Sequence, residues 1–135
     1  MPHRSKQVLI VEDDAGIREE LAAILGHEGY EVVTAANGRD ALERLHWGLR
    51  PSVILLDLRM NVMTGWEFRA EQQKDAAVAD IPVIAMTTGR WKPEDVTEFP
   101  DHIAKPLNLL VLRDLLDRYC EPAKYLERRK EKRGN

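Results

Sequence analysis

Short apolar runs alternate with stretches of helical periodicity along the whole chain, and this alternation restricts the fold more than any other feature of the sequence. "QVLIVE" (Gln7 to Glu12), "EVVTA" (Glu31 to Ala35), "SVILLD" (Ser52 to Asp57) and "IPVIAMT" (Ile81 to Thr87) read as strands, and a very short fifth is expected at His102 to Ala104. Between the first two, Ile17, Leu21, Ile24 and Leu25 recur at helical spacing before the stop signal Gly29. Ala41, Leu42 and Leu45 mark a short helix after Asn37 and Gly38. Thr64 and Glu67 have the spacing of a capping box, so a helix is expected to start there and run towards Asp80. From Asn108, the stripe Leu109, Leu112, Leu115, Leu116 and Tyr119 predicts a further helix. Strands apolar on both faces, each followed by a helix, fit a parallel sheet covered on both sides.

A chain of 135 residues with 44% hydrophobic content buries the core of one domain and hardly of two. The formal net charge of -3 leaves no electrostatic footprint for nucleic acid. No apolar run is long enough to cross a bilayer or to serve as a secretion signal, so a cytoplasmic protein is expected. Cys120 is the only cysteine, which excludes an intrachain disulfide and suits a small hydrophobe near a helix end. Beyond it, residues 121–135 carry six Lys or Arg against three Glu and few apolar groups, the pattern of a charged C-terminal tail or a helical extension.

In an open parallel sheet ligands sit beyond the carboxyl ends of the strands, and the polar residues of this chain collect there. The first strand ends in Glu12 and Asp13, the third in Asp57, the fourth in Thr87 and Thr88, and the fifth in Lys105 before Pro106. Singly, each has an ordinary explanation: acids near the positive end of a helix that Asp14 caps, a capping Thr, a solvated Lys. Asp57 is harder to explain that way, because it ends the most apolar strand and its charged form resists burial. Glu12, Asp13 and Asp57 bring three negative charges against the one positive charge of Lys105, a deficit that a divalent cation cancels. Oxygen ligands without His or Cys suit magnesium better than zinc. Such a site fits phosphoryl transfer, with Asp57 attacking in line while the metal, Lys105 and a Thr hydroxyl meet the phosphoryl oxygens.

The pieces "VLIVEDD", "GYEVVTAANGRDAL", "VILLDLRM" with Gly65, "IPVIAMT" and "KP" resemble those of the receiver domains of response regulators in two-component signalling. The likeness covers Lys6 to Tyr119, and a receiver domain over residues 6–120 is expected. The resemblance implies a flavodoxin-like, doubly wound five-stranded parallel sheet in the order 2-1-3-4-5. It makes Asp57 the phospho-acceptor, Asp13 a direct magnesium ligand and Glu12 a ligand mostly through water. The backbone carbonyl of Arg59 would complete the protein ligands, with Thr87 binding the phosphoryl group and Lys105 bridging it to the carboxylates. A histidine kinase or histidine phosphotransfer protein would donate the phosphoryl group. The expected activity is that of a stand-alone switch acting through contacts with a downstream protein, rather than that of an enzyme.

Several residues depart from the family pattern. Asn61 stands where Pro is usual, four residues after the acceptor, and Thr88 stands where a smaller residue usually follows the phosphoryl-binding Thr. His102 occupies the place of the aromatic switch residue, three positions before Lys105. Only 18 positions separate Thr87 from Lys105, short by about one helical turn, so the family's fourth helix is expected to be shortened or irregular, with one short helix around Pro93 to Glu98. Trp47 is expected to pack partly buried, whereas Trp66 and Trp91 neighbour the site in sequence and are open to a partner. Two other readings compete. One is a degenerate receiver that binds a partner without being phosphorylated. The other is an aspartyl-phosphate hydrolase, which would need an acid two residues after the nucleophile, where Arg59 stands.

Overall fold

The structure is a computed structural model that describes residues 6–89 and 91–134, with side chains as far as residue 131. Arg90, within the segment expected to be irregular, and Asn135, in the tail, lie outside those residues. Five parallel strands, β1 (Gln7–Val11), β2 (Glu31–Ala35), β3 (Val53–Asp57), β4 (Val83–Thr87) and β5 (Asp101–Ala104), form one sheet in the order β2-β1-β3-β4-β5. This is the doubly wound arrangement expected from the sequence.

The near-continuous apolar strands follow from the two faces of that sheet. Successive side chains of a strand point to opposite sides, so Val8, Ile10, Val53, Leu55, Ile84 and Met86 feed one core while Leu9, Val11, Ile54, Leu56, Val83 and Ala85 feed the other. Helices α1 (Ala15–His27) and α4 (Leu109–Cys120) close the first core with Leu21, Leu25, Leu112 and Leu116. Helices α2 (Gly38–His46) and α3 (Gly65–Lys74) close the second with Ala41, Leu45 and Phe68.

Each of these four helices begins where a short polar side chain accepts from an otherwise unpaired backbone N–H. Asp14 accepts from Ile17, Asn37 from Asp40, and Asn108 from Leu110 and Val111. Thr64 and Glu67 form the complete reciprocal capping box.

Among its described residues, the crossover from β4 to β5 contains no α-helix. Its one helical piece is a 3₁₀ turn over Pro93–Val96. Its apolar content is slight, but Val96 and Phe99 are buried and fill the core face that a longer helix would have covered. Trp66 and Trp91 pack against the same cluster, their rings 5.3 Å apart. Trp47 corrects the expectation of a partly buried packing role. It caps the C-terminal end of α2 outside the buried positions Ala41 and Leu45, is 84% exposed, and touches only the edge of His46 among the ring contacts.

Residues 122–134 form a further helix, α5 (Pro122–Gly134), and it is docked through charge rather than apolar contact. Arg128 Nη2 lies 3.1 Å from both Asp114 Oδ1 and Asp117 Oδ2. Asp117 is buried and also accepts a 2.5 Å hydrogen bond from the Tyr30 hydroxyl, which links the helix to the start of β2. Burial and the Asp117 carboxylate push the Tyr30 phenol well above its usual range, so it stays a donor at all ordinary pH values. Burial likewise pushes the Cys120 thiol up to about 11. Among the described residues, no helix is long and apolar enough to cross a membrane.

Gly65 shows how closely α3 approaches the end of β3. A Cβ at this position would stand 2.6 Å from Leu58 Cδ2 and 2.8 Å from Leu58 Cα, inside any real contact distance. Gly65→Ala is therefore expected to cost about 1–3 kcal/mol through overpacking, seen as a melting temperature lower by several degrees.

Candidate phosphoryl-transfer site

The carboxyl ends of β1, β3 and β5 meet at one edge of the sheet and bring Glu12, Asp13, Asp57 and Lys105 together. β1 and β3 pair in register through Val11 and Leu56, which sets Glu12 beside Asp57. One oxygen from each of Glu12, Asp13 and Asp57 lies within 4.8 Å of the others. The Lys105 ammonium reaches between two of them, 2.5 Å from Glu12 Oε1 and 3.4 Å from Asp57 Oδ2. Its backbone N–H donates to the Thr87 carbonyl at 2.7 Å, fastening the start of the Lys105 loop to the end of β4.

Burial makes these charges matter. Glu12 is 1% exposed and Asp57 5%, with an apolar strand beneath each. Burial, followed by the neighbouring Asp57, pushes the Glu12 carboxyl up from 4.5 to about 7 despite the opposing pull of Lys105. Burial also disfavours the Lys105 ammonium, but hydrogen bonding to Glu12 and the charges of Asp57 and Glu12 outweigh it, and its pKa is raised. One ammonium is thus fully engaged and still leaves the carboxylates short of positive charge. An oxygen-only donor set with an excess of negative charge fits a hard divalent cation such as magnesium, and Glu12, Asp13 and Asp57 are the side chains to hold it.

The loop after β3 completes the cradle with backbone donors. Arg59 N–H donates to Asp57 Oδ1 at 3.1 Å, and Asn61 N–H donates to Asp13 Oδ2 at 3.1 Å. The second bond gives the Asn61 departure a consequence, because Pro at that position has no N–H to offer Asp13. Immediately afterwards Met63 N–H returns to the Asn61 carbonyl at 2.8 Å with Val62 at φ 73°. A β-branched residue at positive φ in a three-residue turn is strained, on the order of 1–3 kcal/mol. The loop therefore stores strain next to the acidic cluster.

The other residues singled out by sequence are placed less centrally. Thr87 is buried at the end of β4, where its hydroxyl lies 3.4 Å from the Ile103 carbonyl of the next strand. Thr88 follows with its side chain exposed, while its carbonyl accepts from the Trp91 indole N–H. His102 is exposed on the edge strand β5, opposite Ala85 in register. Two side-chain contacts beside the site were not foreseen from the residue pattern. Arg18 donates to the Glu12 carbonyl at 2.9 Å, and the Arg59 guanidinium stands 5.2 Å from the centre of the Trp91 ring. The first is local, from α1 back to a residue just before it, whereas the second joins two segments remote in the chain, which no local spacing encodes.

A five-stranded doubly wound sheet with clustered acids and one lysine at its carboxyl edge defines a class, and sequence comparison identifies it. The chain belongs to the response regulator receiver domain family of two-component systems, whose profile matches residues 8–117. Receivers are signalling modules rather than conventional enzymes.

The chain is 35% identical over 107 residues to the probable transcriptional regulator ycf27 of Guillardia theta, covering 76% of this chain and 41% of that protein. It is 34% identical over 116 residues to the transcriptional regulatory protein GlrR of Escherichia coli, covering 86% and 26% respectively. The chain thus spans less than half the length of these curated relatives. Among solved structures, the chemotaxis protein CheY4 of Vibrio cholerae superposes with a TM-score of 0.77 at 33% identity, over 85% of this chain and 98% of that one. The receiver domain of the sensor histidine kinase PA1611 from Pseudomonas aeruginosa, with magnesium coordinated in its active site cleft, gives 0.76 at 27% identity over 86% and 98%.

The raised Glu12 pKa sets a pH dependence. The folded state binds this proton more tightly than the unfolded chain, so the stabilising contribution is present below 4.5 and is lost as pH rises to about 7. In chelator, the unfolding free energy of the wild type should fall across that window relative to Glu12→Gln, by up to a few kcal/mol at about 1.4 kcal/mol per pKa unit. Parallel curves for the two proteins would remove the assignment.

Proposed function

We propose that the chain is a phospho-accepting switch in which Asp57 takes a phosphoryl group from a histidine kinase or a histidine phosphotransfer protein. The reading is supported above all by one observation: Asp57 is the buried strand-end carboxylate that lies against both Lys105 and the other two acids. An oxygen of ionised Asp57 forms the bond to phosphorus as the bond to the donor nitrogen breaks, and the histidine leaves with the electron pair. Lys105, already between Glu12 and Asp57, meets the charge on the arriving phosphoryl oxygens. The Thr87 hydroxyl stands at the adjoining strand end to donate to one of them. Arg59 and Asn61 hold Asp57 and Asp13 in place through their backbone N–H groups.

Magnesium is the metal this donor set suits. Glu12, Asp13, Asp57 and the Arg59 carbonyl would hold it, and when bound it supplies neutralisation of charge on the phosphoryl oxygens. The state so formed is read by another protein, through the receiver's own surface. No His or Cys ligand set and no second acid two residues after Asp57 supports a hydrolase instead, since Arg59 occupies that position.

Incubation with magnesium and a small acyl phosphate, followed by intact mass measurement, tests the reading. The wild type should gain one phosphoryl group and Asp57→Asn none, with both proteins folded. Equal labelling of the two would overturn the acceptor.

Magnesium alone should raise the melting temperature, by about 2.7 kcal/mol of stability at a hundredfold excess over its dissociation constant. Asp13→Ala should lose most of that gain. A wild-type melt indifferent to magnesium would contradict the metal site.

A further inference from the structure

Arg59 is a cation with no carboxylate partner among the described residues, two positions from the acceptor. Its backbone N–H is already bonded to Asp57 Oδ1 at 3.1 Å, so the root of the side chain is fixed at the site. The exposed guanidinium rests instead on an aromatic face, 5.2 Å from the centre of the Trp91 ring. Trp91 is connected in turn to the other flank of the site, because its indole N–H donates to the carbonyl of Thr88, the residue after Thr87. One indole thus touches the chain on both sides of the acceptor.

The same indole belongs to the crossover that replaces a helix. Trp91 packs on Trp66 with ring centres 5.3 Å apart, and the Trp66 N–H donates to the Asp95 carbonyl at 2.9 Å. Farther along, Arg69 Nε donates to the Glu98 carbonyl at 3.1 Å, so the crossover is tied to α3 at two points. Arg59, Asn61, Thr64, Trp66, Trp91 and Asp95 line a shallow cleft of about 600 Å³ between the acceptor loop and this segment.

A cation on an exposed aromatic face is held weakly, whereas a phosphoryl group on Asp57 would place a double negative charge beside it. Guanidinium matches phosphate in geometry as well as charge, with two parallel donors for two oxygens. We infer that Arg59 is an additional phosphoryl-binding residue, stored on the Trp91 ring before phosphorylation. Transfer of its guanidinium from Trp91 to the phosphoryl group releases the 91–99 segment and carries the signal along the Trp66 side. This rests on Asp57 being the acceptor. It places the exit of the signal on α3 and the crossover rather than on exposed His102 of the edge strand.

The indoles make the step observable. In a Trp47→Phe background, which removes the exposed third indole, the protein is treated with magnesium and a small acyl phosphate. Intact mass gives the phosphorylated fraction, while tryptophan emission and the decay of the phosphoryl group are read per phosphorylated molecule. The parent should change emission on phosphorylation, and Trp91→Phe should lose most of that change.

Arg59→Ala leaves the backbone N–H and carbonyl in place. It should abolish the emission change and shorten the half-life of the aspartyl-phosphate by about threefold, the scale of one solvent-exposed ion contact. Arg59→Lys, which keeps the charge without the planar fork, should retain part of both effects. A phosphorylated Arg59→Ala protein with the parent's emission change and half-life would overturn the inference while leaving the acceptor intact. No mass gain in the parent would remove the acceptor reading and the inference with it.

Discussion

Among the described residues Lys105 is the one ammonium within reach of two buried acids, and the upper edge of the sheet is organised around that fact. Three carboxylates converge where β1 and β3 end, and one cation bonded to Glu12 and close to Asp57 keeps the cluster compatible with a folded core. The compensation is incomplete, as the raised Glu12 pKa records. A site left short of positive charge discriminates by chemistry: it favours a divalent cation. Backbone donors from Arg59 and Asn61 then orient the acids without adding charge. The strained turn at Val62 follows these donors directly and leads the chain away to the start of α3 at Gly65.

The strand runs and the strand-end acids were legible in the sequence for a common reason. A sheet covered on both faces needs strands without polar interruption, so "VILLD" and "VIAMT" announce themselves, and any polar residue ending such a run must sit at the rim. Helix starts were legible through Asp14, Asn37, Thr64 and Asn108, whose side chains do local work on the next turn. The shortened crossover was also readable, from the 18 positions that separate Thr87 from Lys105.

What could not be read was contact between segments remote in the chain. Nothing in the neighbourhood of Trp91 signals that its ring lies under Arg59, and nothing near Asn61 signals that its N–H reaches Asp13, 48 positions away. Trp47 fails for the opposite reason. A large aromatic near a helix end suggests burial, but its position past Leu45 turns it from the core, and the exposure of one indole costs the fold little. The charged segment after Glu121 lacked an apolar stripe, and its helix is held by Arg128 on a buried acid.

The crossover between β4 and β5 bears on partner choice. A surface that recognises the ridges and grooves of an α-helix would find here one 3₁₀ turn, two indoles and a proline-bounded loop. Loss of an element can confer specificity as effectively as gain of a contact, because a partner shaped for the missing helix is excluded by absent area rather than by repulsion. A receiver that lacks this helix therefore presents a different face to a partner from one that keeps it.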